Sequence, residues 1–140
     1  MRAAAAIVLL ALPACFPEGN YQCDLDTDCS GGEVCARTHE CLASDAVRSV
    51  KIDWTIEGQA DVATGCTALG LSDMTIQFTG DQTEISFAPV PCAGASYFID
   101  KLPLRFDAVS LAGNATDGSQ YYGETPVGVD PEYSITLTAF

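Results

Sequence analysis

Seven cysteines, placed unevenly over 140 residues, constrain this chain more than any other feature. Cys23, Cys29, Cys35 and Cys41 follow one another with five residues between each pair. Cys66 and Cys92 stand far apart in the later part of the chain, and Cys15 precedes them all. The segment 23–43 is too short to bury a core of its own, so crosslinks must hold it. Zinc is the rival to disulfides there. Structural zinc sites usually offer cysteines two to four residues apart, whereas every gap here is five. No metal site is expected, and six of the cysteines, Cys23, Cys29, Cys35, Cys41, Cys66 and Cys92, are read as disulfide partners.

The compartment follows from the first residues. Met1 and Arg2 make a short positive start, and the run from Ala3 to Leu12 is apolar, of signal-peptide length and too short to span a bilayer. An ordinary cleavage site wants small residues at the cut and two positions before it, and Leu12 fits that poorly. Leu12-Pro13-Ala14-Cys15 resembles instead the lipobox of bacterial lipoproteins, with Pro13 where a small residue is usual. The resemblance implies that residues 1–14 are a signal peptide removed by cleavage. It implies a diacylated Cys15, with a third chain on its amine in Gram-negative envelopes. More than one acyl chain anchors a protein stably. Phe16 follows, not the Asp that commonly retains lipoproteins at the inner membrane, which implies the outer membrane. Residues 15–22, with Pro17, Gly19 and Asn20, read as the lipid-anchored tether. Parity agrees: lipidation removes one cysteine of seven and leaves six for three disulfides in an oxidising space.

The formal charge is −13, and all 19 acidic residues lie after Cys15. Losing Arg2 with the leader leaves −13 less one positive charge, or −14. Such a body repels nucleic acid and anionic lipid, and no basic patch reverses that. The expected partners are the membrane, through the anchor, and a protein of the envelope. No cofactor is expected.

The text from Cys23-Asp24-Leu25-Asp26-Thr27-Asp28-Cys29 to Gly32, Cys35 and Cys41 resembles the short four-cysteine modules of Dickkopf N-terminal type. Four cysteines allow three pairings, of which Cys23–Cys35 with Cys29–Cys41, an interlaced pair, is favoured. Asp24, Asp26 and Asp28 match the first ligand positions of an EF-hand loop, but Cys29 stands where its turn needs Gly and Cys35 where its bidentate Glu belongs. A solvated acidic loop is the simpler account. His39 has no second His to share a metal and is expected at the surface.

From Ser44 the pattern changes to period two. Val50, Ile52, Trp54 and Ile56 alternate with Lys51, Asp53, Thr55 and Glu57, the signature of a half-buried strand. Ala60 to Gly65 reads as a loop, and Cys66 to Gly70 as one helical turn closed by Gly70. Strands follow at Met74–Phe78, Ile85–Phe87, Tyr97–Ile99, Leu104–Leu111, Tyr121–Val129 (broken at Pro126) and Ile135–Ala139, with Pro89 and Pro91 stopping the third before Cys92. About seven short strands predict an all-β fold, a small antiparallel β-sandwich over residues 44–140, preceded by the disulfide-rich module 23–43. Cys66 and Cys92 would tie the helical turn to the end of the third strand. Leu102-Pro103, Phe106 and Asp117-Gly118 resemble the second half of carboxypeptidase-regulatory-like, prealbumin-type (Ig-like) sandwiches, though Leu104 and Arg105 replace their Gly-rich step. That resemblance implies an accessory domain without catalytic residues.

The residues offer no catalytic constellation. The single His is not beside a Ser elbow, no phosphate-binding glycine loop is present, and Asp130 and Glu132 flank Pro131 in a polar turn. A non-catalytic, lipid-anchored envelope lipoprotein with a structural or protein-interaction role is expected. The alternative is a carbohydrate- or peptide-binding sandwich bearing Tyr121, Tyr122 and Tyr133. Exposed aromatics gathered on one concave face would favour the alternative.

Overall fold

A computed structural model describes residues 21–140. Cys15, the leader 1–14 and most of the tether lie outside the described residues. Two short strands, β1 (Glu33–Cys35) and β2 (Cys41–Ala43), pair antiparallel in the module. The remaining seven strands form one curled sheet: β3 (Val47–Ile56), β4 (Asp73–Gly80), β5 (Thr83–Pro91), β6 (Ser96–Pro103), β7 (Ala108–Asn114), β8 (Gln120–Pro126) and β9 (Glu132–Ala139). Their order is β5-β4-β7-β8-β9-β3-β6.

The sheet folds over on itself at β9. Residues Glu132 to Leu137 pair with β3 in parallel, the one parallel pairing among otherwise antiparallel strands. Thr138 and Ala139 then pair with β8. One strand thus serves two layers, β5-β4-β7-β8 and β9-β3-β6, and the fold is a sandwich approaching a barrel. Gly123 permits the crossing, because a Cβ there would lie 2.5 Å from Ile135 Cγ2 and from Thr136 O. Alternation does the rest. Val50, Ile52, Trp54 and Ile56 of β3 face Met74, Ile76 and Phe78 of β4, Val109 and Leu111 of β7, and Ile135 and Leu137 of β9 in one buried cluster.

Three expectations change in detail. The segment read as loop plus single turn is a two-turn helix, α1 (Val62–Leu69), because Asp61 caps it by accepting from Thr64 N at 2.8 Å. Gly70 closes it in the left-handed conformation. The prolines do not end β5. Pro89 sits in a bulge, Ala88–Pro89 opposite Thr75, and pairing resumes at Val90 and Pro91, which an edge strand tolerates. Leu104 to Asp107 is a turn, with Phe106 N donating to Pro103 O, so the strand expected from Leu104 begins at Ala108.

The bridges run Cys23–Cys35, Cys29–Cys41 and Cys66–Cys92. The third fastens α1 to the short turn Cys92–Gly94 that links β5 to β6. Trp54 Nε1 donates to Cys92 O at 2.9 Å, locking that turn to the core.

Candidate functional site: the junction of module and sandwich

Strands β5 and β6 are the two edges of the sheet, yet only a four-residue link separates them. They therefore approach each other near that link without a ladder, and Phe87 and Tyr97 meet across this seam with ring centroids 5.6 Å apart. The crosslinked module sits over this seam. Ala36, Arg37 and His39 share one depression with Phe87 of β5 and Lys101 of β6.

The attachment is polar and centred on a bulge. Asp100 and Lys101 of β6 stand opposite the single residue Ser49 of β3, and Lys101 has φ 51°. A left-handed lysine in a strand is uncommon and marks a constrained position. The constraint turns three groups toward the module. Lys101 O accepts from Arg37 N at 3.1 Å, Lys101 Nζ donates to both carboxylate oxygens of Asp26 at 2.7 and 2.8 Å, and Asp100 accepts from the Arg37 guanidinium. A third ion pair joins Arg105, on the turn after β6, to Glu40. Burial pushes the Glu40 carboxyl up, but hydrogen bonds from Thr38 Oγ1 and Arg105 outweigh it and hold the group below the ordinary range. Asp26 is held low chiefly by Lys101 and by Cys35 N.

Two carboxylates of the acidic triple have protein partners. Asp26 is taken by Lys101 and Cys35 N, and Asp28 Oδ2 accepts from Asp24 N and Leu25 N at 2.9 Å each. His39 lies at the surface as expected, its side chain 37% exposed, but it is engaged on both nitrogens. Nδ1 lies 3.0 Å from Cys23 O, Nε2 lies 2.7 Å from Tyr21 Oη, and the Tyr21 ring stacks on the imidazole at 3.8 Å. Both ring nitrogens are occupied, so this imidazole is a brace.

Between module and sheet runs an open groove of about 670 Å³. One wall is Arg37 to Glu40 with Tyr21, and the other is Thr83 to Phe87 of β5. Five consecutive strand residues can line one groove only through the strand's edge, because successive side chains point to opposite faces. Arg105 and Phe106 complete the lining. The groove can therefore offer unpaired backbone groups, two guanidiniums and three aromatic rings. It presents no nucleophile joined to a base: Ser86 lines it, but no hydrogen bond links Ser86 to His39 among the described residues.

Other residues singled out by sequence lie elsewhere. Tyr121 and Tyr133 pack against the core, Tyr133 Oη accepting from Gly128 N at 2.8 Å. Tyr122 is bonded to Glu124 and meets Phe140 edge-on. The three tyrosines form no concave aromatic face. Asp130 and Glu132 are exposed at the start of β9. Sequence reasoning missed Arg37, Lys101 and Arg105, whose partners lie 63 to 75 residues away. Arg48 binds at similar range, to Phe106 O, and nothing local in the sequence marks any of these four cations.

No protein-family model and no curated protein matches the chain. Among solved structures it is similar to a DUF4876 family protein from Bacteroides thetaiotaomicron, at 18% identity and a TM-score of 0.45. The match covers 66% of this chain and 23% of that one, so the chain spans less than a quarter of that protein's length.

Proposed function

We propose that this is a non-catalytic lipoprotein of the bacterial envelope, anchored through Cys15 and serving a structural or protein-interaction role. The observation that carries the reading is cysteine accounting. Cys23, Cys29, Cys35, Cys41, Cys66 and Cys92 are all bridged, which leaves Cys15 as the odd cysteine at the end of an apolar leader. A free thiol in an oxidising space is a liability, and lipidation removes it. The side-chain charge of −14 after cleavage keeps the body off anionic lipid and nucleic acid, so acyl chains would supply the attachment. Phe16 after the cysteine supports the outer membrane, at its periplasmic face or on the cell surface.

Palmitate labelling tests the anchor. Wild-type protein takes up label and partitions with the outer membrane, and Cys15→Ser does neither. Unlabelled wild-type protein in the soluble fraction would overturn the reading.

A second reading is a peptide- or carbohydrate-binding module. The groove along the edge of β5 favours it, because an exposed strand edge can accept an extended peptide. The scatter of Tyr121, Tyr122 and Tyr133 speaks against a sugar platform built from them.

A further inference from the structure

The hairpin of β4 and β5 sets which backbone groups of β5 are free. Asp81 and Gln82, at φ 47° and 60°, form its two-residue turn, and Gly80 stands opposite Thr83. A turn of that kind closes on a pair that exchanges hydrogen bonds, and such pairs recur at every second position. Thr83, Ile85 and Phe87 therefore bond to β4, while Glu84 and Ser86 turn their N–H and C=O groups away from it. The far side of β4 agrees: Thr79, opposite Glu84, turns its carbonyl to the β7 side and accepts from Asp107 N at 3.0 Å. Strand β5 pairs with β4 alone. Among the described residues no loop or side chain bonds to the backbone of Glu84 or Ser86.

Side chains alternate in the same phase. Ile85 and Phe87 are half-buried against the core, and Glu84 and Ser86 are exposed on the other face. A strand laid along this edge would exchange bonds with Glu84 and Ser86. Its residues opposite those two stand on the outer face, beside the Glu84 carboxylate. The residues between them stand on the inner face, with Ile85 and Phe87. The groove beside the edge, of about 670 Å³, has the size of a ligand site. Charge selects the occupant. The two guanidiniums of the groove are already paired, Arg37 with Asp100 and Arg105 with Glu40. Among the described residues Glu84 has no cationic partner, and its carboxylate accepts from the Gln77 amide at 2.7 Å. The formal charge of −13 attracts a cationic partner over distance and repels a second copy of the chain.

We propose that the edge of β5 binds an extended basic peptide, one in which cationic and apolar side chains alternate. This rests on the peptide-binding reading of the groove and names its partner. Backbone pairs to Glu84 and Ser86 hold the peptide as an added strand. Its cations lie along the outer face beside Glu84, and its apolar side chains cover Ile85 and Phe87. The footprint is short, because the hairpin turn ends it on one side and the bulge at Pro89, which has no N–H, ends it on the other.

The oxidised full chain carrying Cys15→Ser, with its three bridges intact, tests this by fluorescence anisotropy with short synthetic peptides. One peptide alternates lysine and valine, and the others replace lysine by glutamate or by serine. The lysine peptide should bind one per chain, at least about 10-fold more tightly than the glutamate peptide. The amide signals of Glu84 and Ser86 should shift most. N-methylation of its lysine amides, which face β5 in this register, should abolish binding. N-methylation of its valine amides, which face away, should leave binding in place. Glu84→Lys should weaken the lysine peptide and strengthen the glutamate peptide. Serine or glutamate peptides that bind as tightly as the lysine peptide would overturn the basic partner and leave the peptide-binding reading standing. Lysine-peptide binding that survives methylation of the lysine amides would overturn strand pairing in favour of charge attraction alone. No binding of any of the three would overturn the proposal and that reading together. Glu84 and Ser86 signals that move on dilution, with no peptide present, would give the edge to a second copy of the chain and overturn it too.

Discussion

Single residues show where a sequence reading stops. Trp54 was legible as core from its place in an alternating strand, and it is 2% exposed. Its hydrogen bond to Cys92 O was not legible, because 38 residues separate the two. Cys92 O also accepts from Ala95 N, so Trp54→Phe leaves no orphan carbonyl. The substitution loses one buried bond and some volume, a cost of about 1–3 kcal/mol. Urea unfolding should show a lower midpoint with an unchanged slope. Gly80 makes the opposite case. It ends β4, and its role is contact: a Cβ would lie 1.9 Å from Arg105 O, a backbone atom that cannot swing aside. Gly80→Ala should therefore displace the turn carrying Arg105 and destabilise the fold, with the chemical shifts of Glu40 moving as its partner leaves. Unmoved Glu40 resonances in a folded Gly80→Ala protein would show that the turn absorbs the clash without disturbing the ion pair.

At the scale of elements, period-two alternation revealed the strands because one face of each is buried, and that pattern survives any tertiary arrangement. Pairing order and the bulge in β6 left no such trace. A bulge is an extra residue, Lys101 with Asp100 against Ser49, and nothing local announces it. Helix α1 was half legible: Gly70 marked its end, while Asp61 was passed over as part of a polar loop. Docking of the module on the bulge gives a pH prediction. Asp26 is held below its ordinary value by Lys101 across the junction and then by Cys35 N, and Glu40, against the upward push of burial, by Thr38 within the module and by Arg105 across the junction. Groups depressed in the folded state stabilise it above their unfolded pKa, near 4, and lose that contribution as pH falls through the lowered values. The junction should be intact at neutral pH and loosen below about pH 4. The protection factor of the Arg37 amide, bonded to Lys101 O, should fall in that window and fall further in salt, since these pairs are partly exposed. Asp26→Asn combined with Glu40→Gln should flatten the acid limb. A limb of unchanged depth in the double variant would assign acid sensitivity to other carboxylates.

The whole molecule answers a problem that its parts create. A sheet that curls without closing leaves two edges, and exposed edges invite pairing with other chains. Here the edges β5 and β6 approach each other only near the link that joins them, at Phe87 and Tyr97, and a small crosslinked module is held against β6 and the turn after it by three ion pairs. The order of segments along the chain, module then sandwich, was plain from composition. That the two form one body was not, because the contacts that join them are scattered single charges, each worth little at an exposed site. Their combined effect is geometric: they fix where the module sits. Arg37→Ala together with Arg105→Ala removes two of the three pairs and leaves all three bridges in place, so the module stays folded but is less firmly held. The edge of β5, already lining an open groove, then gains exposure. We expect this variant to self-associate where the wild-type protein, at the same concentration and salt, sediments as a monomer. Adding Ser86→Lys, a charge on the free edge, should restore the monomer by the same means natural edge strands use. A double variant that stays monomeric while protection of the backbone amide at position 37 is lost would show that the seam protects itself and that the module's position serves binding alone.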